Sequence, residues 1–191
     1  LGRFFAGVKL PVAMEEKLVE LERLLQPHVP VKRWYGIEQF HITTNFLGEL
    51  DAAGLAAAIR CLEQVVPGQP PFHLTLKGIG AFPDARVIWC GVGGETDRLA
   101  SLQNQLRQGF RPLGAERYAK PAFVPHITLA RTGDLRSFRA DCVDAEPLLQ
   151  GAGWTVDRIC LFESVMHPAG ARYPVVHEVL LGSFLHEATG L

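Results

Sequence analysis

The sequence predicts a fold of mixed strands and helices in which one strand–helix–strand unit is used twice. Three observations lead there. Apolar strand-like runs alternate with amphipathic helical runs along the chain. The trio His-Ile-Thr occurs twice, in "QFHITTNFLGEL" (39–50) and "VPHITLARTG" (124–133), and its histidines lie 85 residues apart (126 − 41). Each trio also closes a unit of nearly the same length: 38 residues separate Arg3 from His41, and 40 separate Arg86 from His126. The pseudo-repeat divides a single domain, 1–191, into halves of roughly 1–85 and 86–191.

The elements follow in order. "RFFAGVKL" (3–10) reads as a strand, and Pro11 suits the first turn of a helix. Leu18, Leu21, Leu24 and Leu25 recur at helical spacing, which carries that helix to about Gln26. The proline-bearing loop "PHVPVKRWYGIE" leads into the first His-Ile-Thr strand, expected to stop at Gly48. Asp51 is the N-cap of a second helix bearing Leu55, Ile59, Leu62 and Val66, and "PGQPP" breaks it. "FHLTLKGIGAF" (72–82) and "RVIWCGVGG" (86–94) read as strands joined by a turn at Pro83-Asp84. Thr96 or Asp97 opens a third helix with Leu99, Leu102, Leu106 and Phe110 on one face, and the second His-Ile-Thr strand follows. Residues 134–153 show no regular pattern beyond a short turn at Ser137-Phe138-Arg139. "WTVDRICLFESVM" (154–166) and "ARYPVVHEVLLGSF" (171–184) read as two closing strands.

Composition excludes several function classes. A length of 191 residues with 48% hydrophobic content buries a sizeable core without staples. A formal charge of −1 gives no general footprint for gripping long nucleic acid, though a few local cations suffice for one or two phosphates. Cys61, Cys90, Cys142 and Cys160 form no CxxC pair, and the expected setting is reducing and cytoplasmic. "LGRFFAGVKLP" does not read as a signal peptide, and no apolar run approaches the roughly 20 residues that span a bilayer.

In a strand, residues i and i+2 project from the same face. His41 and Thr43 therefore point together, as do His126 and Thr128, with Ile42 and Ile127 packing behind. A lone histidine of this kind is more often a satisfied strand residue. Two in duplicated positions reverse that judgement and predict one shared site. "HLTL" at His73 has the same spelling but not the same place in the repeat, so His73 is read as a chance match on a half-exposed strand. His167, His177 and His186 share no spacing and read as surface or strand residues. "GVGGET" (91–96) lacks a full GxGxxG pattern and is read as a tight turn, and no G-x-S-x-G elbow exists. A zinc site on His41 and His126 lacks further ligands. Trp34 and Tyr35 precede the first motif; ordinary lobe packing is preferred for them over lining the mouth of the cleft.

With these motifs in place, the chain resembles the two-histidine phosphoesterases, in particular the RNA 2′,3′-cyclic phosphodiesterases also described as 2′-5′ RNA ligases. The resemblance covers nearly the whole chain: "RFFAGVKLP", "EQFHITTNFLGEL", "GIGAFPDARVIWCGV", "FVPHITLAR", "LFESV" and "RYPVVHEVLL". It implies a bilobal α+β fold with two curved antiparallel sheets, flanking helices and a central cleft. It carries catalytic roles to His41 and His126, phosphate binding to Thr43 and Thr128, and substrate contacts to Arg131 and to Phe46, the latter as a platform for a terminal base. "TTN" at 43–45 departs from a commoner Thr-Leu-Arg-like run, so Lys120, Arg33 or Arg131 would have to supply the missing cation.

The chemistry these residues permit is in-line opening of a 2′,3′-cyclic phosphate. One imidazole takes a proton from water and the other gives one to the departing sugar oxygen. By resemblance His41 is the general acid, His126 the general base and the product a 2′-phosphate, with weak 2′-5′ ligation as the reverse. The expected substrates are RNA ends or cyclic nucleotides, with tRNA among them; no cofactor, metal or membrane is expected, and the expected state is a monomer. The alternative is a non-catalytic module of the same fold that binds a nucleotide or RNA end; a metal-dependent phosphoesterase is a minor third reading.

Overall fold

The protein is described here by a computed structural model covering residues 1–31 and 33–184. His186 lies outside the described residues. The elements run β1 (Gly2–Lys9), α1 (Val12–Leu25), β2 (His41–Leu50), α2 (Ala52–Val65), β3 (Phe72–Phe82), β4 (Val87–Gly94) and α3 (Thr96–Gly109). They continue with β5 (His126–Arg131), α4 (Glu146–Leu149), β6 (Gly153–Val156), β7 (Arg158–His167), β8 (Gly170–Arg172) and β9 (Val175–Leu180). Most boundaries agree with the periodicity. Pro11 stands at the N-cap of α1, and the Asp51 carboxylate accepts the Gly54 N–H at 2.8 Å to cap α2. A cap of this kind contributes about 1 kcal/mol. β2 runs two residues past the expected stop at Gly48, which adopts a positive φ of 74° within the strand.

The strands form one antiparallel sheet in the order β6-β3-β4-β5-β2-β1-β7-β8, with β9 also on β7. The two expected sheets are the two halves of this one. They meet at a narrow seam, where β2 and β5 share a single ladder pair, Ile42 with Ile127. One half is built from the middle of the chain, with β3 between β4 and β6, and the other joins its two ends, with β7 on β1 and β9 on β7.

That exchange explains two differences from the sequence reading. The run 154–166 is two strands, because β6 pairs with β3 in one half and β7 with β1 in the other, and the chain crosses between them at Asp157. The run 171–184 is broken at Tyr173-Pro174, since proline has no N–H to extend the ladder. The patternless segment 134–153 supplies α4 and the start of β6.

The helices cover one face. Phe4, Ala6 and Val8 of β1, Ile42, Ile88, Ile127, Ile159 and Leu161 pack there against Leu18 and Leu21 of α1, Leu62 of α2, and Leu99, Leu102 and Leu106 of α3. Strand alternation sends Phe5, Cys160 and Phe162 to the opposite face, where they form a small separate cluster with Tyr173 and Val175. The motif histidines are on that helix-free face.

Candidate active site

The site begins with a repeated backbone irregularity. Along β2, Gly7 pairs with Thr43 and Ala6 with Asn45, so Thr44 is skipped. Along β5, Trp89 pairs with Thr128 and Ile88 with Ala130, so Leu129 is skipped. These are β-bulges at the same place in each repeat, and a bulge reverses the in–out alternation beyond it. Without it, Asn45 and Ala130 would face the site. With it, both are buried on the helix side and the next residues, Phe46 and Arg131, emerge beside the threonines. Asn45 instead donates its amide to the Gln103 carbonyl in α3 at 3.2 Å. Position 45 does not face the site, so no cation is lost there; Arg131, from the other repeat, is a cation on this face, and the charge of Lys120 also reaches His126.

The Ile42–Ile127 pair fixes the rest. Extending its antiparallel register sets His41 across from Thr128 and Thr43 across from His126, all four on the face opposite the two buried isoleucines. The six residues named from the sequence are thus on one surface at the seam.

Each histidine is anchored in the same way. His41 Nδ1 donates to the Gln39 carbonyl at 2.7 Å, and His126 Nδ1 donates to the Val124 carbonyl at 2.8 Å. A carbonyl only accepts, so Nδ1 carries the hydrogen in both rings and Nε2 is the atom left to exchange a proton. The Gln39 end is held further, because Gln39 donates its side-chain amide to the Ala171 carbonyl at 2.9 Å.

The surroundings differ. His41 lies 4.8 Å from the ring of Phe5, 4.8 Å from Tyr173 and 5.8 Å from Phe162. Burial there pushes its pKa down to about 4; the Gln39 bond opposes this, and the charges of His126 and Arg131 add to it. His126 stands edge-on to Phe82 at 4.8 Å, with Trp89 at 6.3 Å. Its pKa is also lowered, first by burial and then by Arg131 and Lys120, against the Val124 bond. Both rings therefore favour the neutral form, and an approaching anion would favour the proton.

Sequence reasoning prefers packing over the cleft mouth for Tyr35, and the structure sets it against Arg131. The 34–35 segment lies beside the end of β5: Trp34 bridges to Ala130, and the Tyr35 N–H donates to the Leu129 carbonyl at 2.7 Å. This places the Tyr35 hydroxyl where it accepts the Arg131 Nε–H at 3.2 Å. Tyr35 also stands near Tyr173, the residue packed edge-on to His41, and adds to the burial that raises the Tyr173 pKa. No periodicity signals this contact; nearness to the first motif is the one hint of it. Phe46 is half exposed and lies 6.2 Å from Phe5, on the surface rather than in the core. His73 is exposed on β3, two strands from β5, and takes no part. Among the described residues, no three His, Cys, Asp or Glu side chains gather as a metal site would require.

The sequence model of the 2′-5′ RNA ligase superfamily matches residues 13–167. The chain belongs to that superfamily. It is 34% identical to the RNA 2′,3′-cyclic phosphodiesterase of Thermotoga maritima over 92% of this chain and 94% of that protein. It is 30% identical to the Archaeoglobus fulgidus protein of the same name over 90% of this chain and 96% of that one. Among solved structures, Escherichia coli LigT complexed with 3′-AMP matches with a TM-score of 0.76 at 26% identity, covering 94% of this chain and 97% of that one. In this superfamily member, two histidines on adjoining strands, two threonines and one arginine form a surface suited to a phosphate group with a proton acceptor and a proton donor beside it.

Proposed function

We propose that this protein is an RNA 2′,3′-cyclic phosphodiesterase, opening RNA-terminal or nucleoside 2′,3′-cyclic phosphates to 2′-phosphates. The observation that carries the reading is the pair of Nδ1-anchored imidazoles on one face of the seam, each beside a threonine. His126 Nε2 takes the proton of the attacking water, and His41 Nε2 protonates the departing sugar O3′. Thr43, Thr128 and Arg131 donate to the non-bridging oxygens, where charge develops in the transition state. The Tyr35 contact holds the Arg131 guanidinium in place. Phe46, exposed on the same face, offers a surface for the base of the preceding nucleotide when the substrate is an RNA end. The mechanism uses no metal.

His41 must hold a proton to act as acid, yet burial disfavours that proton. The negative charge of the bound phosphate offsets this, so the acid is armed by substrate. Run in reverse, the same groups would join a cyclic end to a 5′-hydroxyl weakly. Substrates are RNA ends or nucleotides, and the protein works as a monomer in the cytoplasm. No helix among the described residues is long and apolar enough to cross a membrane. A reading as a binding module leaves both anchored histidines without a purpose.

The test is incubation with 2′,3′-cyclic nucleotides in EDTA. The expected result is a 2′-monophosphate identified by phosphorus NMR. Tight binding without turnover would support the module, and loss of activity restored by a divalent ion would require a metal.

A further inference from the structure

A cavity of about 650 Å³ opens beside His41, on the side away from β5. That volume lies within the range of about 300–1,000 Å³ typical of small-molecule sites. Its walls include Phe162 and Tyr173, with Val165, Val175 and Phe40, and its lining also carries Lys9, Arg172, His167 and the exposed Glu38. None of Thr43, His126, Thr128 or Arg131 lines it. It is therefore a space adjoining the phosphate site and distinct from it.

Glu15 of α1 also lines this cavity. Helical spacing puts Met14, Leu18, Leu21 and Leu25 in the core, and Glu15 sits next to that stripe. The residue as a whole is 7% exposed, and it has no hydrogen-bond or ion-pair partner among the described residues. Its carboxylate oxygens are not among the fully buried unpartnered atoms, so they open to the cavity and can accept from a ligand there. Burial raises the Glu15 pKa above the ordinary carboxylate value, and the charge of Lys9, which lines the same cavity, opposes that shift.

We propose that this cavity seats the base of the reacting nucleoside, and that the Glu15 carboxylate reads N–H donors on that base, guanine foremost. The inference rests on the cyclic-phosphate reading above, with the leaving sugar oxygen on the His41 side of phosphorus. In-line geometry then puts the ribose and its base on the His41 side and the water on the His126 side. The aromatic and aliphatic walls suit a flat ring, as single-stranded bases are generally received. Guanine presents two parallel N–H donors, N1–H and N2–H, which match the two oxygens of a carboxylate. Adenine and cytosine offer one amino group each. Uracil sets a carbonyl on either side of its only N–H and meets the carboxylate with repulsion.

The experiment measures kcat/KM on the four nucleoside 2′,3′-cyclic phosphates for the wild type and for Glu15→Gln, a near-isosteric change. The expected result is guanosine over uridine by at least about tenfold, with that ratio falling about tenfold in the variant; a tenfold change corresponds to about 1.4 kcal/mol. A second arm measures binding of guanosine 2′-monophosphate and of inorganic phosphate by calorimetry in Val165→Trp, which fills the cavity from a partly exposed position. Nucleotide affinity is expected to fall at least about tenfold while phosphate affinity stays. A base preference that survives Glu15→Gln, or unchanged nucleotide affinity in Val165→Trp, overturns the assignment. If the wild type turns over none of the four substrates, the hydrolytic reading falls, and the calorimetric arm still decides the cavity.

Discussion

The two motif strands have the same backbone and different neighbours. From His41 to Phe46 and from His126 to Arg131 the order of half-buried, buried and exposed residues is identical. Both strands bulge one residue after the threonine, and both histidines give Nδ1–H to the carbonyl two residues back. At the fifth position after the histidine the copies part: one presents an aromatic ring, the other a guanidinium. His41 sits among Phe5, Phe162 and Tyr173, while His126 has Phe82 and Trp89 and feels Lys120. On the proposed reading, duplication supplies a matched pair of proton-transfer groups and divergence around them sets the direction of the reaction. The charged side would then stabilise phosphate oxygens and the apolar side would face the nucleoside.

The heaviest loss is expected at the shared element, the histidines. His41→Ala and His126→Ala are each expected to lower kcat/KM by about 10²–10⁴, and the double variant to fall little further, because the two act as one unit. Near-full turnover in either single variant, with the fold intact by circular dichroism, would remove the acid–base pair.

The fifth positions come next. Arg131→Ala is expected to cost about 10² in kcat, as for removal of a donor to a charged transition state. Phe46→Ala is expected to raise KM by about tenfold or less, as for loss of one stacking face. Equal effects on kcat would mean the divergence has no functional sense.

The pH profile bears on the same contrast. Both histidines are lowered from the ordinary value of about 6.5, so the kcat/KM bell is expected to centre on the acid side of it. Arg131 lowers both rings, so Arg131→Gln should move both limbs to higher pH. A profile unmoved by that change would place the guanidinium outside the site. Stability follows the same sign. An unfolded His41 binds its proton near 6.5 and the folded one only near 4, so stability is lost as pH falls through that window.

The smallest contrast lies in the helices. α3 packs Leu99, Leu102 and Leu106, whereas α1 buries Glu22 with one oxygen unpartnered and its pKa pushed up to about 8 by burial. A raised carboxyl contributes stability below its unfolded pKa and loses it as pH rises from about 4.5 to 8. Glu22→Gln should therefore leave thermal stability nearly unchanged at pH 5 and raise it at pH 9, on the order of 3 kcal/mol. Equal effects at both values would show that Glu22 stays neutral throughout.

Much of this molecule is legible in its amino-acid order. The helical stripes locate α1, α2 and α3 because apolar spacing is a local property. The repeated trio identifies the histidines and threonines because period-2 alternation puts i and i+2 on one face. The bulges are not legible, since no residue type at Thr44 or Leu129 announces a skipped partner. Asn45 consequently reads as a lost cation when it in fact faces α3. Tyr35 and Glu15 escape sequence reasoning for another reason: each meets the site through a contact whose partner is far away in the chain, Arg131 in one case and the β7–β9 wall in the other.

Local pattern along the chain settles which side chains carry the chemistry, because helix and strand periodicities act over a few residues and two copies of one motif corroborate each other. How those side chains meet is a property of the packed molecule. Packing places both copies at one seam through the single Ile42–Ile127 pair, and turns Phe46 and Arg131 outward through two bulges. It also sets a carboxylate against a cavity beside His41. Strand pairing and burial are settled by which distant segments pack together, and that free energy belongs to the whole chain rather than to any window of it.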